Sequence, residues 1–438
     1  MEDEILRAYA NGADRILVDS PPGAGKTYLV EQTSAKSIAN HGWRVGVGTN
    51  TRNQRDDFAV RFHQRFPKIA IQVSLASKEA PSQRLIANNV PTINSFNSLN
   101  RGPGVIVSTV HRHFYSVDHI PNGATSLYDL MVADEAYQIQ YRNGGLPLDA
   151  LGRRRLMVGD PGQISPFTEL DTEIFESAHD RVLAPLPEEV LRNGSPVYRL
   201  ALDLSRRLAP DTVRIIQPSL YPNLPFTATS TDAERRIAFA AAGAKKDAID
   251  HAFDAIAAGA SIVAIQLPDH GFETEVDDEL SDLSVEVAER IHFRRVRWPH
   301  ERRQIDINND VFYMDSHVNS VTRTQERLNA RAITLRADTP NVIQGQETLI
   351  SIVKHPLSSM QEADPFHLDP GRYCVMLSRH KLACIVLVRG DVNDVLDDYE
   401  HDAGERLLGR DNMTFKGYAA HRQIWNALLD QDRVFTHP

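Results

Sequence analysis

The chain has 438 residues, of which 42% are apolar and 24% are charged, and its formal net charge is −10. This size predicts about two to four domains, and the presence of only two cysteines excludes a disulfide scaffold and argues against a structural zinc site. No apolar run reaches the roughly 20 residues of a membrane-spanning helix. The acidic start at 1–4 differs from a secretory signal, so we expect a cytoplasmic protein without a membrane partner.

The first half of the chain alternates helical and strand patterns, which predicts an α/β fold with mostly parallel sheets. The elements predicted in chain order are a short helix around 5–9, a strand at 15–19, a helix at 26–40, and strands at 44–48, 68–73, 105–108, 130–133 and 155–158. The stretch 74–104 is rich in Ser, Asn, Pro and Gly, which predicts a short irregular insertion.

The Pro-rich passage 217–225 interrupts this pattern, and we place a domain boundary there, giving lobes at 1–225 and 226–438. A second α/β series follows. Its predicted elements are a helix at 247–257, a strand at 261–266, a helix at 276–291, strands at 348–354 and 383–388, and a closing amphipathic helix at 414–429.

The segment 20–27 (SPPGAGKT) follows a predicted strand and begins a predicted helix, which is the setting of a phosphate-binding P-loop. Glycines there allow backbone N–H groups to surround a phosphate. Lys26 can reach the β- and γ-phosphates and the Thr27 hydroxyl can bind Mg²⁺, although Ser20 stands where the pattern usually begins with Gly. The residues expected to bind ATP here are Pro22, Gly23, Ala24, Gly25, Lys26 and Thr27.

The segment 130–135 (LMVADE) is an apolar strand that ends in two acids. Ligands of open parallel sheets bind at the carboxyl ends of the strands. We therefore predict that Asp134 holds Mg²⁺ and that Glu135 is the base that orients and polarises the attacking water.

The residues that follow make the prediction more specific. The segments 134–138 (DEAYQ) and 158–166 (VGDPGQISP) together resemble superfamily 1 helicases. Pro166 points to subfamily B, the type that includes the nonsense-decay RNA helicase, and candidate motifs follow in order over roughly 12–395. The resemblance implies two tandem RecA-like P-loop NTPase lobes that bind ATP between them. It also implies 5′→3′ movement along single-stranded nucleic acid. We expect the strand to be DNA, with RNA possible.

The resemblance also implies roles for single residues. Gln163 would sense the γ-phosphate, and Arg207 and Arg379 would be two arginine fingers, since a guanidinium fork stabilises charge on the γ-oxygens. Gly345 and Glu347 would contact the nucleotide. The residues expected to contact the nucleic-acid strand are Thr49, Asn50, Arg52, Thr109, His111 and Thr339.

Two alternatives stay open at this point. The chain could be a remodeller that strips proteins from nucleic acid without opening duplexes, or a regulatory ATPase that uses nucleotide binding to dock a partner. The full set of hydrolytic residues favours the motor, because a switch does not need one. Residues 1–12 contain no Gln that could recognise adenine, so the choice of nucleotide base is also open.

Overall fold

The computed structural model of the protein describes residues 1–119, 126–166, 183–243, 245–399 and 413–438. Its contacts divide the chain into two compact units, Met1–Pro161 with Ser165–Leu202, and Gly162–Ile164 with Asp203–Pro438. The segment 203–225, which the sequence assigned to the first lobe, therefore groups with the second unit.

The first unit is built on a parallel sheet that has eight strands within the described residues. The strands are β1 (Arg15–Asp19), β2 (Arg44–Thr49), β3 (Ile71–Ser74), β4 (Thr92–Ile93), β5 (Gly104–Thr109), β6 (Tyr128–Asp134), β7 (Gly152–Gly159) and β8 (Tyr198–Ala201). Their order in the sheet is β4-β3-β5-β2-β6-β7-β1-β8. The strand before the P-loop is thus separated from the strand that ends in two acids by β7 alone.

Helices cover both faces of this sheet. They are α1 (Glu2–Ala10), α2 (Lys26–His41), α3 (Arg52–Arg65), α4 (Gln83–Ala87), α5 (Val110–Phe114), α6 (Leu146–Leu151) and α7 (Leu186–Arg192), with shorter helical turns at Phe96–Ser98, Val117–His119, Ala136–Gln138 and Tyr141–Gly145. Because both faces are covered, β1 is apolar without alternation. Ile16 and Val18 pack into the core on one face, and Leu17 packs into the core on the other.

The second unit contains a parallel sheet of six strands within the described residues, in the order β15-β14-β16-β17-β11-β18. The strands of this unit are β9 (Leu204–Ser205), β10 (Thr227–Ala228), β11 (Ile262–Leu267), β12 (Arg297–Trp298), β13 (Arg303–Gln304), β14 (Val311–Met314), β15 (Arg336–Asp338), β16 (Thr348–Lys354), β17 (His380–Arg389) and β18 (Val434–Thr436). The pair β9–β10 is parallel and the pair β12–β13 is antiparallel.

Helices of the second unit contribute to the two hydrophobic cores that include residues of the six-stranded sheet. The helices of this unit are α8 (Pro210–Leu220), α9 (Asp232–Arg235), α10 (Ala248–Ala258), α11 (Asp278–Phe293), α12 (Ile307–Asp310), α13 (Val318–Ala330), α14 (Pro340–Ile343), α15 (Pro370–Leu377), α16 (Val392–Asp397) and α17 (Met413–Leu429). Both units thus alternate strands with helices around parallel sheets, which confirms the predicted α/β fold class with mostly parallel sheets. Within the described part of the chain, no helix is both long enough and apolar enough to cross a bilayer.

Candidate functional site

The P-loop connects the end of β1 to the start of α2. Gly23 and Gly25 have φ angles of 72° and 93°, which lie in the left-handed region that favours glycine, and Gly25 is the residue that precedes α2. Ser20 is fully buried, and its hydroxyl donates to the Pro21 carbonyl at 3.2 Å. A serine thus fits where the motif usually begins with glycine, because its short side chain is satisfied by the loop itself.

Three neighbouring strand ends bring their charged residues together. Lys26 begins α2 after β1, and its Nζ lies 3.7 Å from Glu135 Oε1 and 3.7 Å from Asp160 Oδ2. The register explains this convergence, because Asp19 at the end of β1 lies beside Gly159 of β7, and Val158 of β7 lies beside Asp134 of β6. The predicted pair Lys26 and Glu135 therefore lies at the carboxyl edge of the sheet.

Glu135 has an unusual backbone conformation. Its φ and ψ are 55° and 47°, and a residue other than Gly in this left-handed region costs on the order of 1–2 kcal/mol. The conformation turns the chain sharply at the end of β6. Gly159 makes room for this turn, since a Cβ on Gly159 would lie 2.8 Å from the Tyr137 ring and 3.0 Å from the Ala136 nitrogen.

Asp134 is buried beside this turn, and its Oδ1 accepts a hydrogen bond from the Glu135 N–H at 3.1 Å. Burial, together with the nearby Glu135 carboxylate, raises the pKa of Asp134 to about 7, although the Lys26 charge works in the opposite direction. A buried carboxylate that is costly to ionise favours a bound cation.

Binding of Mg²⁺ together with a nucleotide stays a prediction for this site, with the Thr27 hydroxyl and the Asp134 carboxylate as the expected protein ligands. In the described residues, no group of three or more His, Cys, Asp or Glu side chains could hold a metal ion by itself. Mg²⁺ in nucleotide sites usually takes one or two protein oxygens, with phosphate oxygens and waters as its other ligands. The Thr27 hydroxyl and the Asp134 carboxylate would be two such protein oxygens.

Two features of this site were not predicted from the sequence. Asp160 was noted only as part of the 158–166 motif, and its ion pair with Lys26 was missed. Asp19 accepts hydrogen bonds from the Tyr137 hydroxyl at 2.7 Å and from Arg199 Nη2 at 2.8 Å, and burial beside Asp19 raises the pKa of Tyr137. This cluster ties the end of β1 to the turn after β6. The only sequence signal for this cluster was that Tyr137 lies within the segment 134–138, next to the candidate base.

A cleft lies at the carboxyl ends of β2 and β5, which are parallel neighbours with Thr49 beside Thr109. Its volume is about 610 Å³, and it brings together four residues predicted to contact nucleic acid. The lining residues are Asn50, Arg52, Ala76, Ser77, Glu79, Thr109, His111, Arg112 and Tyr115. The cleft and the P-loop therefore open from the same edge of one sheet.

The arginines in and beside this cleft differ in how freely they can contact a ligand. Arg55 is buried, and its Nη2 lies 2.9 Å from Glu79 Oε1, so its charge is neutralised inside the unit. The Arg52 side chain is 70% exposed and approaches the same carboxylate only at 3.5 Å. Arg112 donates to the Ser74 hydroxyl and to the Asn94 carbonyl. Arg52 is therefore the arginine with the greater freedom to contact a ligand.

The predicted threonines have local partners. The Thr49 side chain is buried, and its hydroxyl donates to the carbonyls of Thr51 at 3.2 Å and Ser108 at 3.4 Å. The Thr109 hydroxyl accepts from the Arg112 N–H at 3.4 Å and caps α5. In the second unit, Thr339 precedes α14. The roles of these residues toward nucleic acid stay predictions.

In the second unit, the predicted arginines lie near Ser378. Arg207 Nε lies 3.1 Å from Glu347 Oε2, and Arg207 Nη1 donates to the Ser378 carbonyl at 3.4 Å. Burial opposes ionisation of Glu347, but Lys381 and Arg207 together lower its pKa below the usual value. Arg379 is fully buried, and its Nη2 donates to the Ser378 hydroxyl at 2.9 Å.

Two further predicted residues lie near each other in this unit. Gln163 is buried, and its Oε1 accepts from Gln344 Nε2 at 3.1 Å. The next residue, Gly345, has a φ of 86°, so the chain there uses the conformational freedom of glycine. The predicted γ-phosphate sensor Gln163 and the predicted nucleotide contact Gly345 thus lie near each other within one unit.

Comparison with known proteins adds little to this geometry. No protein-family model matches the sequence, and no curated protein does. Among solved structures, nonstructural protein 10 of an arterivirus, described as a helicase, matches with 14% identity and a TM-score of 0.42. The complex of an arterivirus nonstructural protein 10 with DNA matches with 14% identity and a TM-score of 0.41. Each match covers 92% of this chain and 64% of the viral chain.

Proposed function

We propose that this chain is a nucleic-acid-dependent ATPase of the superfamily 1 helicase type, which moves along single strands. One observation carries the proposal. Lys26 lies 3.7 Å from both Glu135 and Asp160 beside the P-loop, and a cleft lined by Arg52 and His111 lies at the same edge of the same sheet. A phosphate site and a polar cleft so arranged suit an enzyme that hydrolyses ATP in response to a bound strand.

The roles of the first-unit residues follow from their positions. The backbone N–H groups of the P-loop and Lys26 bind the phosphates. The carboxylates of Glu135 and Asp160 hold the Lys26 ammonium in place. Glu135 orients the attacking water and accepts its proton. Bound Mg²⁺, which Thr27 and Asp134 would hold, neutralises charge on the phosphate oxygens.

A structural connection between the two regions supports strand-dependent hydrolysis. Thr51, which lies between the cleft residues Asn50 and Arg52, forms a capping box with Gln54 at the start of α3. Gln54 Nε2 also donates to Gln138 Oε1 at 3.5 Å. Since Gln138 ends the helical turn that follows Glu135, a shift of α3 on strand binding would reach the candidate base.

The resemblance to subfamily B in 158–166 leads us to propose 5′→3′ movement. The test is release of streptavidin from single strands that carry biotin at the 3′ or the 5′ end. A 5′→3′ motor should clear the 3′ end faster. Faster clearance of the 5′ end would contradict the subfamily assignment, and equal loss without ATP would contradict translocation.

The ATPase proposal itself is tested by measuring phosphate release with and without matched single-stranded DNA and RNA. We expect turnover to rise severalfold with single strands, and Lys26→Ala to abolish turnover under both conditions. ATP hydrolysis that no single strand stimulates would favour the regulatory ATPase instead. Comparing the two oligomers also decides between DNA, which we favour, and RNA.

A further inference from the structure

We propose that Tyr115 stacks on a nucleobase in the first-unit cleft. The cleft would then bind the bases of a strand as well as its backbone phosphates. This inference rests on the proposed function, because it assumes that single-stranded nucleic acid occupies the cleft. It adds a residue that the sequence motifs did not single out, and it adds a second kind of contact.

The position of Tyr115 supports this role. Its side chain is 62% exposed, and it lines the cleft together with Asn50, Arg52 and His111. Tyr115 follows the last residue of α5 and lies four positions after His111, so both side chains project from the same side of the helical segment. A large ring thus faces solvent inside a polar cleft, where burying it against another flat ring would be favourable.

The surroundings hold the ring in place. The Phe114 ring meets Tyr115 edge to face, with centroids 5.5 Å apart and planes at 89°. The segment itself is fixed, because Arg112 donates to Ser74 and Asn94 and its guanidinium lies 3.9 Å from the centre of the Phe96 ring. A tyrosine on a rigid support loses little conformational entropy when it stacks.

The cleft also offers a positive charge that can bind the backbone of a single strand. The exposed Arg52 guanidinium can pair with a backbone phosphate, while Tyr115 offers a flat surface to a base. Proteins that bind single strands without sequence preference combine these two contacts, because every base has a stacking face. Stacking does not involve the 2′-hydroxyl, so we expect Tyr115 to act equally on DNA and RNA.

The test compares binding of wild type, Tyr115→Ala and Tyr115→Phe to two strands of about 12 nucleotides. One strand carries all its bases, and the other has the same backbone with abasic positions. Fluorescence anisotropy at one fixed salt concentration measures each affinity, and each strand is prepared as DNA and as RNA. Tyr198→Ala is the matched control, because Tyr198 is 45% exposed on β8 and does not line this cleft.

We expect Tyr115→Ala to weaken binding of the strand with bases by about 5- to 100-fold and to leave binding of the abasic strand within about twofold. Tyr115→Phe and Tyr198→Ala should bind both strands like wild type. An equal loss on both strands, or no loss with Tyr115→Ala, would overturn the stacking role while strand binding by wild type still supports the proposed function. If wild type binds neither strand, the proposed function fails and the stacking role with it.

Discussion

Glu135 combines a strained backbone with the position of the candidate base. Its left-handed conformation directs the side chain toward Lys26, whose Nζ lies 3.7 Å from Oε1. Strain of this kind persists where the surrounding structure enforces it, and here the turn packs closely on Gly159 of β7. The ion pair between Glu135 and Lys26 joins the strained turn to the P-loop.

Replacing Glu135 by Gln should separate nucleotide binding from hydrolysis. The amide keeps the shape of the side chain but cannot accept a proton from water, so we expect turnover to fall by at least about 100-fold. ATP affinity should stay within about tenfold of wild type, because the P-loop is unchanged. Single-turnover kinetics together with titration calorimetry provide both numbers, with Lys26→Ala as the variant that loses binding. Turnover near the wild-type rate would show that another group is the base.

The sequence predicted single residues where a motif specifies their chemistry. Lys26 and Glu135 were predicted from local patterns, and the structure brings them together. The cluster of Asp19, Tyr137 and Arg199 could not be predicted, because Arg199 is 180 positions from Asp19. Their contact depends on β8 lying beside β1 in the sheet, and a sequence pattern does not specify the order of strands.

At the level of elements, α3 connects the cleft to the turn after β6. We expect Gln54→Ala to leave ATP turnover without nucleic acid unchanged within about twofold, because the hydrogen bonds of the Gln54 side chain are to Thr51 and Gln138. The stimulation of turnover by a single strand should fall severalfold, since the hydrogen bond to Gln138 is lost. Gln64→Ala on the same helix is the control, because Gln64 bonds to Asn88 instead. Full stimulation with Gln54→Ala would exclude this connection.

The helix α11 depends on a buried acid, Asp277, which immediately precedes it. Asp277 is buried, accepts from the Leu280 N–H at the start of α11, and bonds Arg389 at 2.6 and 3.0 Å. Burial alone would raise the pKa of Asp277. Hydrogen bonds from Arg389, Leu280 and Ser359 overcome that effect and lower the pKa to about 2.

This lowered pKa predicts how stability depends on pH. Asp277 contributes its stability in full above the unfolded pKa near 3.9, and loses it as the pH falls toward 2. We expect Asp277→Asn to destabilise the second unit by about 2–4 kcal/mol at neutral pH, and the difference from wild type to shrink below about pH 4. Urea unfolding between pH 2 and 7 measures it, with the exposed Asp282→Asn as the control. A difference that does not change with pH would contradict this role.

Elements with strong local signals were predicted closely, and short ones were not. The P-loop helix was predicted at 26–40 and is observed at Lys26–His41. The strand predicted at 68–73 is observed at Ile71–Ser74, because Ile69 instead closes a turn on Phe66. The strand β14, Val311–Met314, was missed. It has four residues and no alternation, and its pairing with β15 and β16 is what stabilises it.

At the scale of the whole molecule, the Pro-rich composition of 217–225 indicated a break in the alternation of helices and strands. It did not indicate to which of the two units this segment belongs. The Pro-rich passage was taken as a boundary near 217–225, yet Pro218 lies inside α8. Ile215 and Ile216 of that helix pack into the core that contains Met314 and Val353 of the second unit. Proline marks interrupted backbone hydrogen bonding, whereas membership of a core depends on contacts that are distant in sequence.

The division into units makes Arg379 the most informative residue for the whole molecule. The P-loop and the candidate base lie in the first unit, while Arg379 lies in the second. If Arg379 acts as an arginine finger, Arg379→Lys should lower turnover by at least about 100-fold, because lysine lacks the planar fork that stabilises charge on the γ-oxygens. Nucleotide affinity should stay within about tenfold of wild type, since a finger acts mainly on the transition state.

Arg389→Lys is the matched control for this prediction, because Arg389 is also a buried arginine of the second unit, and its partner is Asp277 rather than Ser378. We expect Arg389→Lys to lower the melting temperature while the folded enzyme keeps its turnover. Arg379→Lys should show the opposite pattern, with a melting temperature close to that of wild type and slow turnover.

Equal effects of the two variants on stability and turnover would mean that Arg379 only supports the fold. A loss of ATP affinity with unchanged turnover would mean that it contacts the ground state alone. The predicted pattern alone would show that hydrolysis in the first unit depends on an arginine of the second unit. A motor built from two units requires such a dependence.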